Sequence, residues 1–283
     1  MTLPFSLLRS ESKPLNTSTL ARIKKRCFIN APWYDLKEKY LDLFLEHDIQ
    51  PEIGLEGLCL YNEDHSAFKR VATSLQKQGL ACTLHAPFFD LTPGGLDPYI
   101  LEKTREKLHA AFALIPVFRP RSIVCHLQFE ENKHGYVYKE WLENASATWA
   151  QLVSIAGSYN VPVMFENTYE KDPSIHTAML TKLDTPFAGF CLDVGHLLAF
   201  ARSSWQQWLP AMLPWFGQLH LHDNTGGQDE HLAPGRGNFD FTGLFTFLKN
   251  SDLHPIITFE PHSEVDLWQT FAYLEATHLL TDI

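Results

Sequence analysis

Residues 218–240 read QLHLHDNTGGQDEHLAPGRGNFD, and the first five of them decide the fold. Successive side chains of an extended chain point to opposite faces. Gln218, His220 and His222 therefore share one face, and Leu219 and Leu221 share the other. A strand that is apolar on one side and carries imidazoles on the other suits a closed sheet, with helices over its outer face and chemistry on its inner one. Beyond it, Asp223, Asp229, His231 and Asp240 are spread around two glycine pairs. That is more ligand chemistry than a connecting loop needs, and it reads as part of a metal site.

Working outward, short β-prone apolar runs alternate with longer amphipathic ones along the chain, the pattern of βα units around a parallel sheet. Strands are predicted at 27–30, 52–58, 81–85, 122–127, 162–167, 188–193, 218–222 and 256–260. Helices are predicted between them, among them 35–46, 67–77, 98–114, 138–158 and 265–278, where apolar residues recur at helical spacing. Eight such units in this length predict an α/β fold of the (β/α)8 TIM-barrel type. A doubly wound sheet is the rival, but it would ordinarily open with a glycine-rich phosphate loop after the first strand, and NAPWYD at 30–35 is not one. No low-complexity linker divides the chain. The expected organisation is an N-terminal extension over 1–22 and a single barrel domain over 23–283. The Pro/Gly-rich pieces at 92–98 and 233–237 each follow a predicted strand and read as loops of the active face.

Barrel chemistry sits at the C-terminal ends of the strands, and six of those ends are polar. Strand three ends TLH (His85), strand four VCH (His126), strand five MFE (Glu166) and strand six CLDVGH (Asp193, then His196). Strand seven carries His220 and His222, and strand eight ends TFE (Glu260). Alternation puts Met164 on the face of Glu166 and Thr258 on that of Glu260, leaving Val163, Phe165, Ile257 and Phe259 toward the helices. So many carboxylates and imidazoles converging on one mouth would be severely desolvated and mutually repulsive without a cation. A divalent metal is the natural compensation.

Composition limits the partners. The chain of 283 residues is 45% hydrophobic and 20% charged, with a formal net charge of −10 at pH 7. That balance argues against an unspecialised nucleic-acid binder, which would cluster Lys and Arg. No apolar run approaches membrane-spanning length and the N-terminus lacks signal-peptide character, so a cytoplasmic protein with no membrane contact is expected. The five cysteines are scattered singly with no CxxC, which points to small buried hydrophobes rather than disulfides or a zinc ribbon.

The segments LHAPFFDL, CLDVGH, HLHDNTGGQDEHLAPGRGNFDF and TFEPH together resemble the xylose-isomerase-like, AP-endonuclease-2 superfamily of barrels, over roughly residues 85–260. Its sugar isomerases and epimerases hold one divalent metal with a Glu, Asp, His, Glu set, which the resemblance places on Glu166, Asp193, His220 and Glu260. Glu166 and Glu260 would then exchange protons with the sugar carbons while the metal polarises the oxygens. Members that hydrolyse phosphodiesters, such as endonuclease IV, hold three zinc ions. By that resemblance His85, His126 and Glu166 would hold one, Glu166, Asp193, His220 and Glu260 a second, and His196, Asp229 and His231 a third. The segment between His220 and Asp229 is shorter here, and no basic, wedge-bearing loop is present to grip a duplex. DNA is therefore disfavoured as a partner.

Several residues carry two readings. His222 and Asp223 suit a general base, with His222 also a candidate for substrate contact, or support of His220 and the loop. Arg236 suits a sugar hydroxyl or phosphate, or a brace against Asp229 or Asp240. Asn167 suits substrate, or a hydrogen bond to Glu166. Trp33, Phe88 and Phe89 could wall a sugar ring or pack in the core. His262 could face the mouth, whereas His47, His65, His109, His134, His176, His254 and His278 are expected on solvent-exposed helices or turns. The resulting expectation is an enzyme holding one to three Mn, Mg or Zn ions. It is an isomerase or epimerase of a small sugar or sugar phosphate, or alternatively a multinuclear zinc phosphoester hydrolase. The oligomeric state is open, a homo-oligomer included.

Overall fold

The computed structural model describes residues 17–280. Eight parallel strands pair in chain order: β1 (Phe28–Pro32), β2 (Pro51–Gly54), β3 (Thr83–His85), β4 (Ile123–His126), β5 (Val163–Glu166), β6 (Ala188–Asp193), β7 (Phe216–Leu221) and β8 (Ile256–Phe259). β1 then closes on β8, which leaves the sheet without an edge. Each predicted strand is present. β2 stops at Gly54, short of the expected 58, because the chain turns into the helix Cys59–Asn62.

The helices form where local chemistry starts and stops them. Asp64 accepts the backbone N–H of Ser66 to open His65–Gln78, and Gly79 closes it in the left-handed conformation at φ 72°. Asp97 accepts the N–H groups of Tyr99 and Ile100 at the head of Pro98–Phe112, whose first residue needs no N–H. Two stretches wind as π-helical turns, Leu36–Tyr40 after β1 and Leu197–Ala201 after β6. Such turns recur at functional sites, and the second reaches the mouth described below through Phe200.

Side-chain alternation is as expected. Val163, Phe165, Leu219, Leu221, Ile257 and Phe259 join the large apolar core between sheet and helices. Inside the barrel, Val124, Met164 and Cys191 form a separate small cluster. Most of the remaining interior is polar, with Glu52, Thr83, Gln218 and Thr258 all buried. The outer core includes Trp33, Trp141, Trp149 and Trp208, each fully buried and each stabilising the fold by about 2–3 kcal/mol.

The helix Thr17–Arg26 begins inside the segment read as an extension and packs against Glu264–Thr277. The rest of that segment, 1–16, lies outside the described residues. All five cysteines are free and buried, and burial pushes the Cys27 and Cys82 thiols up to about 12. Among the described residues, no helix is long and apolar enough to cross a membrane.

Two histidines depart from expectation. His134 and His176 are buried rather than exposed. The His134 Nδ1 accepts the Glu130 N–H at 3.0 Å, and its ring stacks on Trp141. The His176 Nε2–H donates to the Glu166 carbonyl at 3.1 Å, between Phe190 and Trp208. Helical periodicity could not reveal Trp141, Glu166, Phe190 and Trp208 as partners because they lie on other elements.

Candidate metal centre

The strand ends bring the expected ligands together. Glu166, at the end of β5, is the hub. Its Oε2 lies 3.1 Å from His85 Nε2, 3.0 Å from His126 Nε2 and 3.3 Å from His220 Nδ1, and its Oε1 lies 3.2 Å from His196 Nδ1. Glu260, just past β8, places Oε1 3.0 Å from the same His220 Nδ1. Asp229 Oδ2 lies 3.4 Å from His196 Nε2 and 3.2 Å from His231 Nε2.

Among the described residues, four side-chain groups offer ligand atoms within 4.8 Å of one another: His85, Glu166 and His220; Asp193, His196 and His222; His222, Asp229 and His231; and Glu52, His220 and Glu260. These differ from the sets implied by the resemblance in two ways. Asp193 groups with His196 and His222, its Oδ2 3.2 Å from His222 Nε2, rather than with His220. His222 belongs to two groups, and Glu52 joins another.

The imidazoles are held from behind. His85 Nδ1–H donates to the Ala86 carbonyl at 2.9 Å, and His231 Nδ1–H donates to the Glu260 carbonyl at 3.1 Å. His220 Nε2–H faces Glu52 Oε1 at 3.1 Å. In each ring the other nitrogen faces into the site, where a metal ion could take the place of its proton. Outer partners of this kind fix the tautomer and orientation of metal-ligating histidines. The buried His220 Nδ1, His222 Nδ1 and Asp229 Oδ1 have no hydrogen-bond partner, and buried polar atoms are rarely left so.

Electrostatics favours a cation here. Burial alone would push the Glu166 carboxyl up, but the charges of His220 and His126 outweigh it and hold it well below the usual carboxylate range. Burial pushes His196 down, and Asp193, Asp229 and Glu166 reverse this and lift it well above the usual imidazole range. His231 is pushed down by burial and raised overall, to about 9, chiefly by its bond to Asp229. The carboxylates thus favour protons on His196, His220 and His231, whereas burial keeps His126 below the usual imidazole range. A divalent ion would supply positive charge through the same nitrogens, and the nitrogen and oxygen donor set fits Zn or Mn.

The loop after β7 is pinned by Asp223, which is fully buried. Its carboxylate accepts the backbone N–H groups of Asn224, Gly235, Gly237 and Phe239 at 2.8–3.0 Å. That folds the loop over so that His231 stacks on His222 at 3.9 Å, with His262 stacked at 3.9 Å on its other side. The His222 ring lies against Gly195. A Cβ there would meet ring atoms at 1.9–2.5 Å, so only glycine fits the CLDVGH turn.

Above the ligands opens a cavity of about 430 Å³. Phe88, Phe89, Tyr169 and Phe200 line it, together with Glu56, Gln128, His262 and the outer ligands. No Lys or Arg is among these lining residues. Phe88 stacks on His126 at 4.4 Å, whereas Trp33 packs on Phe68 in the core. Asn167 does not line the cavity. Its amide both donates to and accepts from the Asp193 backbone, bridging β5 to β6. Arg236 is exposed, away from the lining, and none of the described ion pairs joins it to Asp229 or Asp240.

Sequence reasoning missed Glu52 and Glu56. The signal for Glu52 was present: an acid inside the strand-like run DIQPEIGL, at an inward position between Pro51 and Ile53. It stands at the start of the predicted strand, far from the C-terminal end where barrel chemistry is expected. Glu56, Tyr169 and Phe200 lie outside the strands, where no alternation marks orientation.

Comparison with known proteins agrees with this architecture. An uncharacterized protein of Methanocaldococcus jannaschii, MJ1311, is 26% identical over 188 residues, covering 62% of this chain and 63% of that protein. The chain therefore matches less than two thirds of that relative's length. Among solved structures, a D-tagatose 3-epimerase-like protein superposes with a TM-score of 0.77 at 23% identity, over 90% of this chain and 97% of that one. The TTHB071 protein from Thermus thermophilus, soaked with ZnCl2, superposes with a TM-score of 0.73 at 21% identity, over 89% and 97%. These likenesses show the fold. The profile described as "Xylose isomerase-like TIM barrel" matches residues 52–279, and with most of its length so matched the chain belongs to the xylose isomerase-like TIM barrel family.

Proposed function

We propose that the protein is a divalent-metal-dependent isomerase or epimerase of a small, uncharged sugar. One observation carries this reading: Glu166 and Glu260 reach the same nitrogen of His220, at 3.3 and 3.0 Å, from strands separated around the barrel. Two carboxylates on either side of one ligand position, below an open mouth, are what proton exchange at adjacent sugar carbons requires. When bound, the metal would polarise the sugar's carbonyl and hydroxyl oxygens. Glu166, Glu260 and His220 are the residues that would hold it. Phe88, Phe89, Tyr169 and Phe200 supply faces for a sugar ring. The absence of Lys and Arg from the lining disfavours a substrate whose phosphate sits away from the metal. Five buried free thiols suit a reducing, cytoplasmic setting.

A specific observation favours a second reading. Glu166 Oε2 is shared between His85 and His126 on one side and His220 on the other, as a carboxylate bridging two metals would be. Clustered metals suit hydrolysis of a small phosphoester. Two measurements separate the readings: metal content of the purified protein, and deuterium incorporation from D2O into a panel of aldoses and ketoses. One metal per chain with carbon-bound deuterium supports the isomerase. Two or three zinc ions with phosphate release from model esters, and no deuterium in any sugar, overturn it.

A further inference from the structure

Beneath the proposed ligands lies a carboxylate that the chemistry above does not use. Glu52, on β2, is completely buried in the barrel interior. Its Oε1 accepts from Asn30 Nδ2 at 3.3 Å and lies 3.1 Å from His220 Nε2. Its Oε2 accepts from Thr83 Oγ1 at 2.9 Å, Gln218 Nε2 at 2.9 Å and Thr258 Oγ1 at 3.0 Å. Five donors from β1, β3, β7 and β8 thus surround one side chain of β2. Barrel interiors are ordinarily packed with branched apolar side chains, and a buried carboxylate is costly unless its oxygens are saturated with hydrogen bonds. Saturation is what the surrounding donors achieve.

This arrangement has a directional consequence for His220. A carboxylate can only accept, so the imidazole nitrogen facing it must carry the proton. Nδ1 is then the nitrogen whose proton a cation can displace, and it is the one that faces Glu166 and Glu260. Gln218 Oε1 is taken by Ser122 Oγ at 2.6 Å, which turns its NH2 toward Glu52 at 2.9 Å; that NH2 also lies 3.3 Å from His220 Nε2, a longer contact than the 3.1 Å between Nε2 and the charged Glu52 carboxylate, which sets the proton's place. The tautomer of His220 is therefore written into a hydrogen-bonded layer linking five strands and Ser122.

We propose that Glu52 is a positioning residue for the metal centre: it holds His220 as the Nε2–H tautomer, so that Nδ1 is presented to a divalent cation between Glu166 and Glu260. This deepens the functional reading above and rests on it for the metal. Glu52 touches neither substrate nor the reacting atoms, and it acts only through His220.

The test uses metal-stripped full-length protein with Zn or Mn alone as the probe. Affinity is read by chelator competition in wild type and in Glu52→Gln, which keeps the shape but removes the charge and can present either amide atom to His220. Loss of such an outer partner should weaken binding about 10- to 100-fold. Glu52→Asp should recover part of the loss. Far-UV circular dichroism establishes that each variant is folded. Independently of any variant, long-range 1H–15N spectra of metal-loaded wild type should show His220 bound to metal through Nδ1, with a slowly exchanging proton on Nε2. Unchanged affinity in folded Glu52→Gln, or His220 bound through Nε2 in wild type, overturns the proposal. Failure of wild type to bind either metal would instead overturn the functional reading itself.

Discussion

Replacing Gly195 by alanine adds one methyl group at the place where the site has least room. The new Cβ would lie 1.9 Å from Cε1 of His222, 2.4 Å from Nδ1 and 2.5 Å from Nε2. Ordinary carbon contact begins near ~3.5 Å, so the ring has to retreat by about 1.5 Å. It cannot do so freely. His222 is 1% exposed, and its ring already stacks at 3.9 Å on His231, which stacks at 3.9 Å on His262. Moving the ring also breaks its contact with Asp193 Oδ2 at 3.2 Å. Overpacking of this kind costs about 1–3 kcal/mol, and a lost hydrogen bond to a charged group costs about 1.5–3 kcal/mol. We expect Gly195→Ala to lose about 3 kcal/mol, a fall in melting temperature of about 6 °C. The control is Gly227→Ala, where an added Cβ meets nothing within 4 Å. Calorimetry of both variants, with and without added zinc, is the assay. Equal melting temperatures for the two would refute the reasoning, since it rests entirely on His222 having nowhere to go.

Other outcomes follow from the same geometry. Replacing His85 and His126 together by alanine should remove any metal bridged through Glu166 on that side while sparing one at His220; elemental analysis showing every ion lost would contradict that partition. Asp223→Ala leaves four loop N–H groups without their acceptor. It should cost about 3 kcal/mol and open the segment after β7 to limited proteolysis, and unchanged cleavage kinetics would count against Asp223 as its anchor. The His176 pKa is lowered, first by burial and against the opposing charge of Glu170, so His176 is neutral when folded and takes up a proton near pH ~6.5 only on unfolding. Wild type should therefore lose its stability advantage over His176→Gln as pH falls from about 7 to 5, by at most about 1.4 kcal/mol per pH unit. A gap in denaturation free energy that stays constant over that range would exclude this linkage.

The barrel was legible because its signal is local and repeated. Each strand alternates between a helix-facing apolar residue and an inward one, as Leu219 and His220 do, and most end in a residue whose type differs from its neighbours. The polar residues that cluster at the mouth were legible for the same reason: imidazoles and carboxylates at strand ends have no structural need to be there. Their grouping was harder to see. Which carboxylate Asp193 shares with which imidazole depends on the stacking of His222 over Gly195 and on the fold of the loop, and neither leaves a periodic trace. Glu52 was hidden for the opposite reason, since it stands below the ligand-bearing strand ends and its meaning comes from donors scattered from Asn30 to Thr258. Arg236 is the converse case, exposed and away from the cavity lining. Its flanking glycines suggested a ligand-binding loop, but those glycines serve Asp223, which takes their N–H groups.

The apolar core of this protein lies almost wholly between the sheet and its helices, while the barrel lumen holds a three-residue apolar plug and a layer of hydrogen bonds. The two faces of every strand thus answer to different selection. Outward positions such as Phe165, Leu219 and Ile257 can be varied in a library to raise thermal tolerance with little risk to the chemistry, provided volume is conserved. Inward positions form one interlocked unit, where single changes propagate through shared donors and double changes will not add. A stabilising programme and a programme to change the substrate could therefore be run on separate halves of the same strands.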